Sequence, residues 1–362
     1  MKLAMFMMPV HPSGRNYRTT LKEDLETIID ADRLGFDEFW LGEHITAGAE
    51  SITSPLLFLA QAIPQTKDIK LCTGVINLPQ QHPATIAANT AMFDQMSDGR
   101  LIMGISAGGL PSDFELFHLE DAGARTEMML ESIDMIQHLW TQAPPYDLKG
   151  KYWHIKIDDW YWPEAGLGTM RRPLQQPHPP IAMSAMSPYS KTVQIAASRG
   201  WNVVTANFIP NYSVASHWKM FQKGAEEAGL EPDPNKWSVA RHILVTESDA
   251  EAEEYLARPD HALVHYYEYM IGLFKRAELT PILKSDEQMS DDQLTVAWAN
   301  ETFIIAGSPR TVADKILDFR EQVGPFGTIV MVAHDWDDPP FHKRSMQLMA
   351  QQVMPLLNEA AP

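Results

Sequence analysis

The sequence is poor in several things that would otherwise define a protein. It holds one cysteine, Cys72, in 362 residues, so no internal disulfide can form and the Cys-rich zinc folds are excluded. A chain built without disulfides belongs in a reducing compartment, most simply the cytoplasm. Positive charge is scarce: 29 Lys and Arg stand against 47 Asp and Glu, a formal net charge of −18. Such a surface repels phosphate backbones, which need Lys and Arg to displace their counterions, so no nucleic-acid partner is expected. No apolar run approaches the roughly 20 residues of a membrane span, so no membrane association is expected either. The opening MKLAMFMMPVHP lacks a small-residue cleavage site, is too short for a secretory signal, and reads as a first buried strand. There is no fixed-period repeat, no low-complexity tract and no G-x-G-x-x-G after the first strand, which argues against a Rossmann dinucleotide site.

What is present is a rhythm. At 45% apolar and 21% charged residues the chain has the balance of a globular protein. Short apolar runs of strand length alternate with amphipathic stretches: Leu3–Met8, Glu38–Leu41, Lys70–Thr73, Leu101–Ile105, Ile181–Ser184, Asn202–Thr205, Val239–Val245 and Thr328–Val332. Phe303 to Ala306 is a ninth candidate or part of a loop. The first helix carries Leu21, Leu25, Ile28 and Ile29 on one face, with a Thr20/Glu23 capping box at its start and Gly35 at its end. The clearest helix is SPRTVADKILDFREQVG, with Ser308 as N-cap, Pro309 in the first turn, Val312, Ile316, Phe319 and Val323 inward, and Gly324 as terminator. Continuous apolar strands joined by helices predict a parallel sheet buried on both faces. Eight such units predict a closed (β/α)8 TIM barrel rather than an open doubly wound sheet.

Two segments interrupt the rhythm. Residues 144–180 are dense in proline and aromatics, including Tyr152, Trp153, Trp160, Tyr161 and Trp162. Proline forbids regular helix there and the aromatics need something to pack on, so an ordered excursion is expected, one that helps wall the site. Residues 249–300 exceed one barrel helix and predict extra helices. Both read as insertions in βα loops of a single domain spanning 1–362.

In such a barrel the chemistry lies at the carboxyl ends of the strands. The sequence places a polar, glycine-rich rim there: Pro9-Val10-His11, Gly42-Glu43-His44, Gly74-Val75-Ile76-Asn77, Ser106-Ala107-Gly108-Gly109, Ser187-Pro188-Tyr189-Ser190, Asn207 and His334-Asp335. Gly104-Ile105-Ser106-Ala107-Gly108 matches the nucleophile elbow G-x-S-x-G, but Gly109-Leu110-Pro111 interrupts where a helix must begin, and glycines there equally let a flat ligand approach the backbone. No metal site is expected: only His11 follows the first strand, and the adjacent Glu43 and His44 point to opposite faces. Among 13 histidines, His44 stands out at a strand end, where an imidazole serves as base or donor near neutral pH. The Ser187–Ser190 hydroxyls before a helix start make an anion site, or a plain N-cap. Cys72, inside a strand run, reads as a small buried hydrophobe.

The motifs in order carry more than any one alone. The KLAMFMMP strand, DRLGFDEFWLGEHITAG, TGVINLPQQHPATIA, FDQMSDGRLIMGISAGGLPSDFELF and AGSPRTVADKILDF together resemble the bacterial-luciferase-like flavin monooxygenases. The C-terminal half, through IVMVAHDWDDPP and the final MQLMAQQVMPLL, is most similar to the limonene and diketocamphane monooxygenase branch. The resemblance implies a luciferase-like barrel that takes reduced FMN from a separate NAD(P)H-dependent flavin reductase and forms a flavin C4a-peroxide with O2. It implies a homodimer packed through barrel helices. His44 falls on the family's active-site base or peroxide-stabilising donor. Gly74 and Val75 fall where the backbone bends under the isoalloxazine, often with a non-prolyl cis peptide. Ser106 and Ala107 match the loop facing the flavin, and Met186, Ser187, Tyr189 and Ser190 match the phosphate cradle. Luciferases proper carry an arginine at the position of Ala107, which leaves the phosphate to Arg125 or to the Ser187–Ser190 turn; the aldehyde substrate and light emission are therefore not implied.

A reactive oxygen carrier needs a dry pocket, which Phe6, Met8, His11 and Phe208 at the rim are expected to line. The expected reaction is hydroxylation, epoxidation or Baeyer–Villiger oxygenation of a small apolar substrate. A deazaflavin-dependent hydride-transfer enzyme shares the resemblance, and a non-catalytic flavin-binding protein and a Ser106 hydrolase are further alternatives.

Overall fold

The eight apolar runs pair in sequence order as parallel strands and close on themselves. In a computed structural model, which describes residues 1–286, 288–334 and 336–360, they are β1 (Lys2–Met7), β2 (Glu38–Leu41), β3 (Lys70–Thr73), β4 (Leu101–Ser106), β5 (Ile181–Ala185), β6 (Asn202–Thr205), β7 (Trp237–Val245) and β8 (Thr328–Val332). Each neighbours the next, and β8 returns to β1 with Ala4 opposite Val330. Helices cover the outside, as the predicted (β/α)8 barrel requires.

The lumen is filled by a small cluster. Ala4, Trp40, Cys72, Ile102, Ala182, Val204, Ala240, Val330 and Val332 are buried there, with Phe6 against them. One large side chain, Trp40, is accommodated because its neighbours are small. At Gly104 a methyl would lie 2.0 Å from the Thr73 carbonyl and 3.2 Å from the Trp40 ring, so only glycine lets β3 and β4 approach. Trp40 Nε1–H donates to the buried Glu38 carboxylate at 2.9 Å, and Lys2 lies 3.6 Å from the same group. Cys72 is buried in this lumen, as a small hydrophobe should be.

The first helix, Tyr17–Leu34, starts earlier than its sequence signal. Asn16 is the N-cap, its side chain accepting from the Thr19 amide, while Thr20 lies inside the helix with its hydroxyl on the Tyr17 carbonyl. The Thr20/Glu23 box is thus displaced by a stronger capping residue one turn upstream. The end is as read: Gly35 takes φ +82°. The helix Pro309–Val323 keeps its predicted inward residues, but Ser308 bonds Thr311 Oγ1 instead of a backbone cap.

The ninth apolar run is a strand, Ile304–Gly307, which pairs with the outer half of β7 beyond the barrel; Phe303 ends the preceding helix. Residues 249–300 form helices Asp249–Leu256, Ala262–Arg276 and Val296–Phe303. The 144–180 excursion is built on a hairpin, Tyr146–Lys149 with His154–Ile157. Its turn is clamped by the Glu131 carboxylate, which accepts from the amides of Lys151, Tyr152 and Trp153 at 2.7–2.9 Å. The expectation that its aromatics pack inward holds only in part. Trp153 is partly buried against the core and meets His82 edge-on, but Trp160 and Trp162 are 79% and 58% exposed. No helix among the described residues is long and apolar enough to cross a membrane.

Candidate active site

A cavity of about 280 Å³, open to solvent, lies over the carboxyl ends of β1 to β6. Met8, His44, Gly74, Val75, Ser106, Ala107, Met186, Ser187 and Ser190 all line it, so the structure brings most of the candidate residues together. Asn77 of the predicted rim lines it too, and the structure adds residues that the sequence reading did not single out: Thr126, Met129, Ser184, Thr192 and Ala206. Thr126 and Met129 are one helical turn apart on Ala122–Thr141, a spacing visible in sequence; nothing in sequence shows that this turn faces the site.

Four candidates lie elsewhere. Phe6 points into the lumen, where a methyl on Gly74 would stand 3.0 Å from its ring. Phe208 packs edge-on against Phe274 at 5.4 Å. His11 is buried on Asp24 at 2.9 Å and does not line this cavity. Tyr189 is 61% exposed, with its backbone at φ +51°. Strand-end position alone does not say which way a loop residue turns. Asp335 falls outside the described residues.

The floor is shaped by backbone. The Gly74–Val75 peptide is cis, and Gly108 takes φ +93° with Phe114 closely under it. That turn at Gly108–Gly109 lets the helix Pro111–Phe117 start beside β2 and deliver Asp113 to His44. Ser106 Oγ accepts from the Gly108 amide at 3.1 Å, and no histidine bonds it among the described residues, so the elbow reading has no base to activate the serine.

His44 is held from both sides. Its Nδ1 is 3.2 Å from Asp113 Oδ2 and its Nε2 is 3.4 Å from Glu50 Oε2. The His44 amide donates to Ile52 O, closing the loop that brings Glu50 round. Tyr269, from the inserted helix Ala262–Arg276, donates to Glu50 Oε1 at 3.0 Å. Burial alone would lower the His44 pKa, but the Glu50 and Asp113 carboxylates outweigh it and raise it. Burial pushes Asp113 up, while hydrogen bonds from His44 and from the Thr46 hydroxyl and amide take it below its ordinary value. Burial lifts Glu50. Next in the wall, Glu43 accepts from the Asn77 amide at 2.8 Å with its other oxygen unpaired, and burial lifts it to about 7. Glu50, Asp113 and Tyr269 were not legible, because loop closure and a chain separation of 69 residues bring the first two to His44 and 219 residues separate Tyr269 from Glu50.

The opposite wall is made of hydroxyls: Ser184 on β5, and Ser187, Ser190 and Thr192 around the start of helix Lys191–Ser198. Ser190 is the N-cap residue but its side chain makes no cap bond, so its hydroxyl is available to a ligand. Arg125, the expected substitute for an arginine at 107, is committed elsewhere. Its guanidinium donates to the Leu119 and Glu120 carbonyls and lies 3.5 Å over the Phe114 ring. No Lys or Arg is among the described lining residues, and no group of three or more His, Cys, Asp or Glu placed to hold a metal ion is found among the described residues.

This geometry can be set beside known proteins. Residues 1–325 match the family model for luciferase-like monooxygenases. The chain belongs to that family. It is 30% identical over 360 residues, 98% of this chain and 91% of the relative, to a 4-hydroxyprotoasukamycin monooxygenase of Streptomyces nodosus subsp. asukaensis. It is 28% identical, over 98% of this chain and 86% of the relative, to a limonene 1,2-monooxygenase of Rhodococcus erythropolis. Among solved structures it is similar to the oxygenating constituent of 3,6-diketocamphane monooxygenase from Pseudomonas putida, a type II Baeyer–Villiger enzyme in complex with FMN. That likeness has a TM-score of 0.88 at 27% identity and covers 98% of both chains. The luciferase-like assignment read from the motifs therefore stands, and with it the assignment as an oxidoreductase of the monooxygenase kind.

Proposed function

We propose that this luciferase-like monooxygenase uses O2 and reduced FMN, supplied by a separate NAD(P)H-dependent flavin reductase, to oxygenate a small, weakly polar organic molecule. One observation carries the reading. A single cavity joins His44, the Gly74–Val75 bend and the Ser187–Ser190 turn, with a charged group at one side and hydroxyls at the other. The residues suit FMN on this chain's own chemistry: Ser187, Ser190 and Thr192 offer neutral donors at a helix start, as a phosphate requires, and Gly74, Val75, Ser106 and Ala107 leave a flat surface without long side chains. Those four would hold the ring system and Met186–Thr192 the phosphate. When bound, reduced flavin supplies the two electrons that activate O2.

The chain's own groups do the rest. Glu50 and Asp113 favour the protonated form of His44, whose positive charge would stabilise negative charge that develops beside it. Met8, Val75, Met129, Met186 and Ala206 keep water from that charge. The relatives named as oxygenating limonene and diketocamphane support a terpene or cyclic ketone as substrate, and the neighbour described as an oxygenating constituent supports a separate reductase. The exposed face at Leu57, Met92 and Met96 is where we place a homodimer contact, and we assign the protein to the cytoplasm.

The test is a panel of terpenes, cyclic ketones and alkanals run with a flavin reductase, NADH, FMN and 18O2, with products analysed by mass. Incorporation of one 18O atom is expected. Reductase-independent turnover, or product without label, would overturn the reading.

A further inference from the structure

Behind the hydroxyl wall lies a buried side chain that touches no ligand space. His217, on helix Asn211–Glu227, is fully buried. Its Nε2 is 2.8 Å from the Ser187 carbonyl and its Nδ1 is 3.0 Å from Thr205 Oγ1, which in turn receives Trp237 Nε1–H at 2.9 Å. Each proton in this chain has one possible place. An indole nitrogen only donates and a carbonyl only accepts. Thr205 therefore takes the indole proton and gives its own to Nδ1, and Nε2–H goes to Ser187.

We propose that His217 is a positioning residue: fixed in one tautomer by Trp237 and Thr205, it holds the Ser187 carbonyl away from the cavity, so that Ser187 and Ser190 present donors there. An anion site tolerates no carbonyl oxygen pointing into it, because two negative dipole ends would meet. The same helix grips the turn a second time. Ser216 Oγ accepts from the Tyr189 amide at 2.8 Å and donates to Ser213 O at 2.6 Å. It also packs close: a methyl on Gly224 would stand 2.2 Å from the Gln194 carbonyl, so only glycine lets the helix lie against Lys191–Ser198. No carboxylate bonds His217 among the described residues. Burial lowers its pKa to about 4, and the ring stays neutral at physiological pH.

The proposal rests on the reading that this turn holds the flavin phosphate, and equilibrium titration with oxidised FMN and with riboflavin separates the two. The wild-type protein is expected to bind FMN at least about tenfold more tightly than riboflavin, the value of one charge-assisted hydrogen bond. Equal wild-type affinities would overturn the phosphate reading itself. In His217→Phe the FMN preference is expected to fall about tenfold, with riboflavin affinity within twofold of wild type. In His217→Gln, whose amide still donates to Ser187, most of the preference is expected to return. A folded His217→Phe that keeps the preference, or loses both affinities equally, would overturn the role given to His217. A second measurement needs no variant: 15N NMR of the wild type is expected to show Nε2 protonated and Nδ1 bare from pH 8 to pH 5.5. The other tautomer, or titration within that range, would overturn it as well.

Discussion

Two histidines at the same end of the barrel behave in opposite ways. His44, after β2, is flanked by Glu50 and Asp113, and its pKa is raised. His242, on β7, is bonded to Tyr267 at 2.7 Å and lies beside Asn207, Tyr266 and His334; burial, with Arg241 adding to it, lowers its pKa to about 3. His334, whose ring nitrogens have no partner among the described residues, goes the same way, through burial and then the charge of neighbouring histidines. The first half of the mouth is thus open and charged, and the second is filled and neutral. The inserted helix Ala262–Arg276 makes the difference: its Tyr266 and Tyr267 fill one side, and its Tyr269 reaches Glu50 on the other. Carboxylates decide which histidines carry protons, and burial decides the rest.

The largest test of that contrast is acid. His217 and His242 have folded-state values of about 4 and about 3, below the ordinary 6.5. Each contributes stability that is complete above pH 6.5 and lost as the pH falls toward its folded value. By pH 4.5 the pair removes on the order of 5 kcal/mol, comparable to the whole stability of many domains. Far-UV circular dichroism is expected to show unfolding between pH 6 and 4, with a shallower slope in His242→Gln. A flat profile would mean that these two buried histidines are not held neutral. His44 runs the other way, contributing stability below pH 6.5 that is lost as the pH climbs through its raised value.

Next in size is the open half. His44→Asn is expected to lower oxygenated product formation by about 10²–10³ while oxidised FMN binds within threefold of wild type. A loss confined to flavin affinity would make His44 a binding group instead.

A smaller effect falls on Glu43. Its value of about 7 against the ordinary 4.5 means that stability present at low pH is lost as the pH rises from 4.5 through 7. Glutamine keeps the acceptor for the Asn77 amide without the charge. Glu43→Gln is therefore expected to be more stable than wild type by about 3 kcal/mol at pH 8 and about equal at pH 4.5, read from thermal melts at both.

The smallest is a check that the halves are separate. Tyr267→Phe removes the bond to His242 and is expected to cost about 1 kcal/mol in a urea titration, leaving FMN affinity unchanged. A tenfold loss of affinity would join the two halves.

The strands were legible because parallel strands buried on both faces are plain apolar runs, and all eight lie within a residue or two of their sequence bounds. Gly35 and Gly324 marked helix ends for the same local reason. The site was legible where backbone chemistry shows in sequence, as at Gly74, Ser106 and Ser187. It was not where side chains from distant segments converge: Asp113 and Glu50 on His44, or His217 behind Ser187. Phe6 and Phe208 show the converse, since apolar residues at strand ends serve core and pocket alike and only their direction decides.

Trp40 has one more consequence. With that ring and its small neighbours filling the lumen, the cavity has no continuation down the barrel axis among the described residues, so a ligand that enters from the strand ends also leaves toward them.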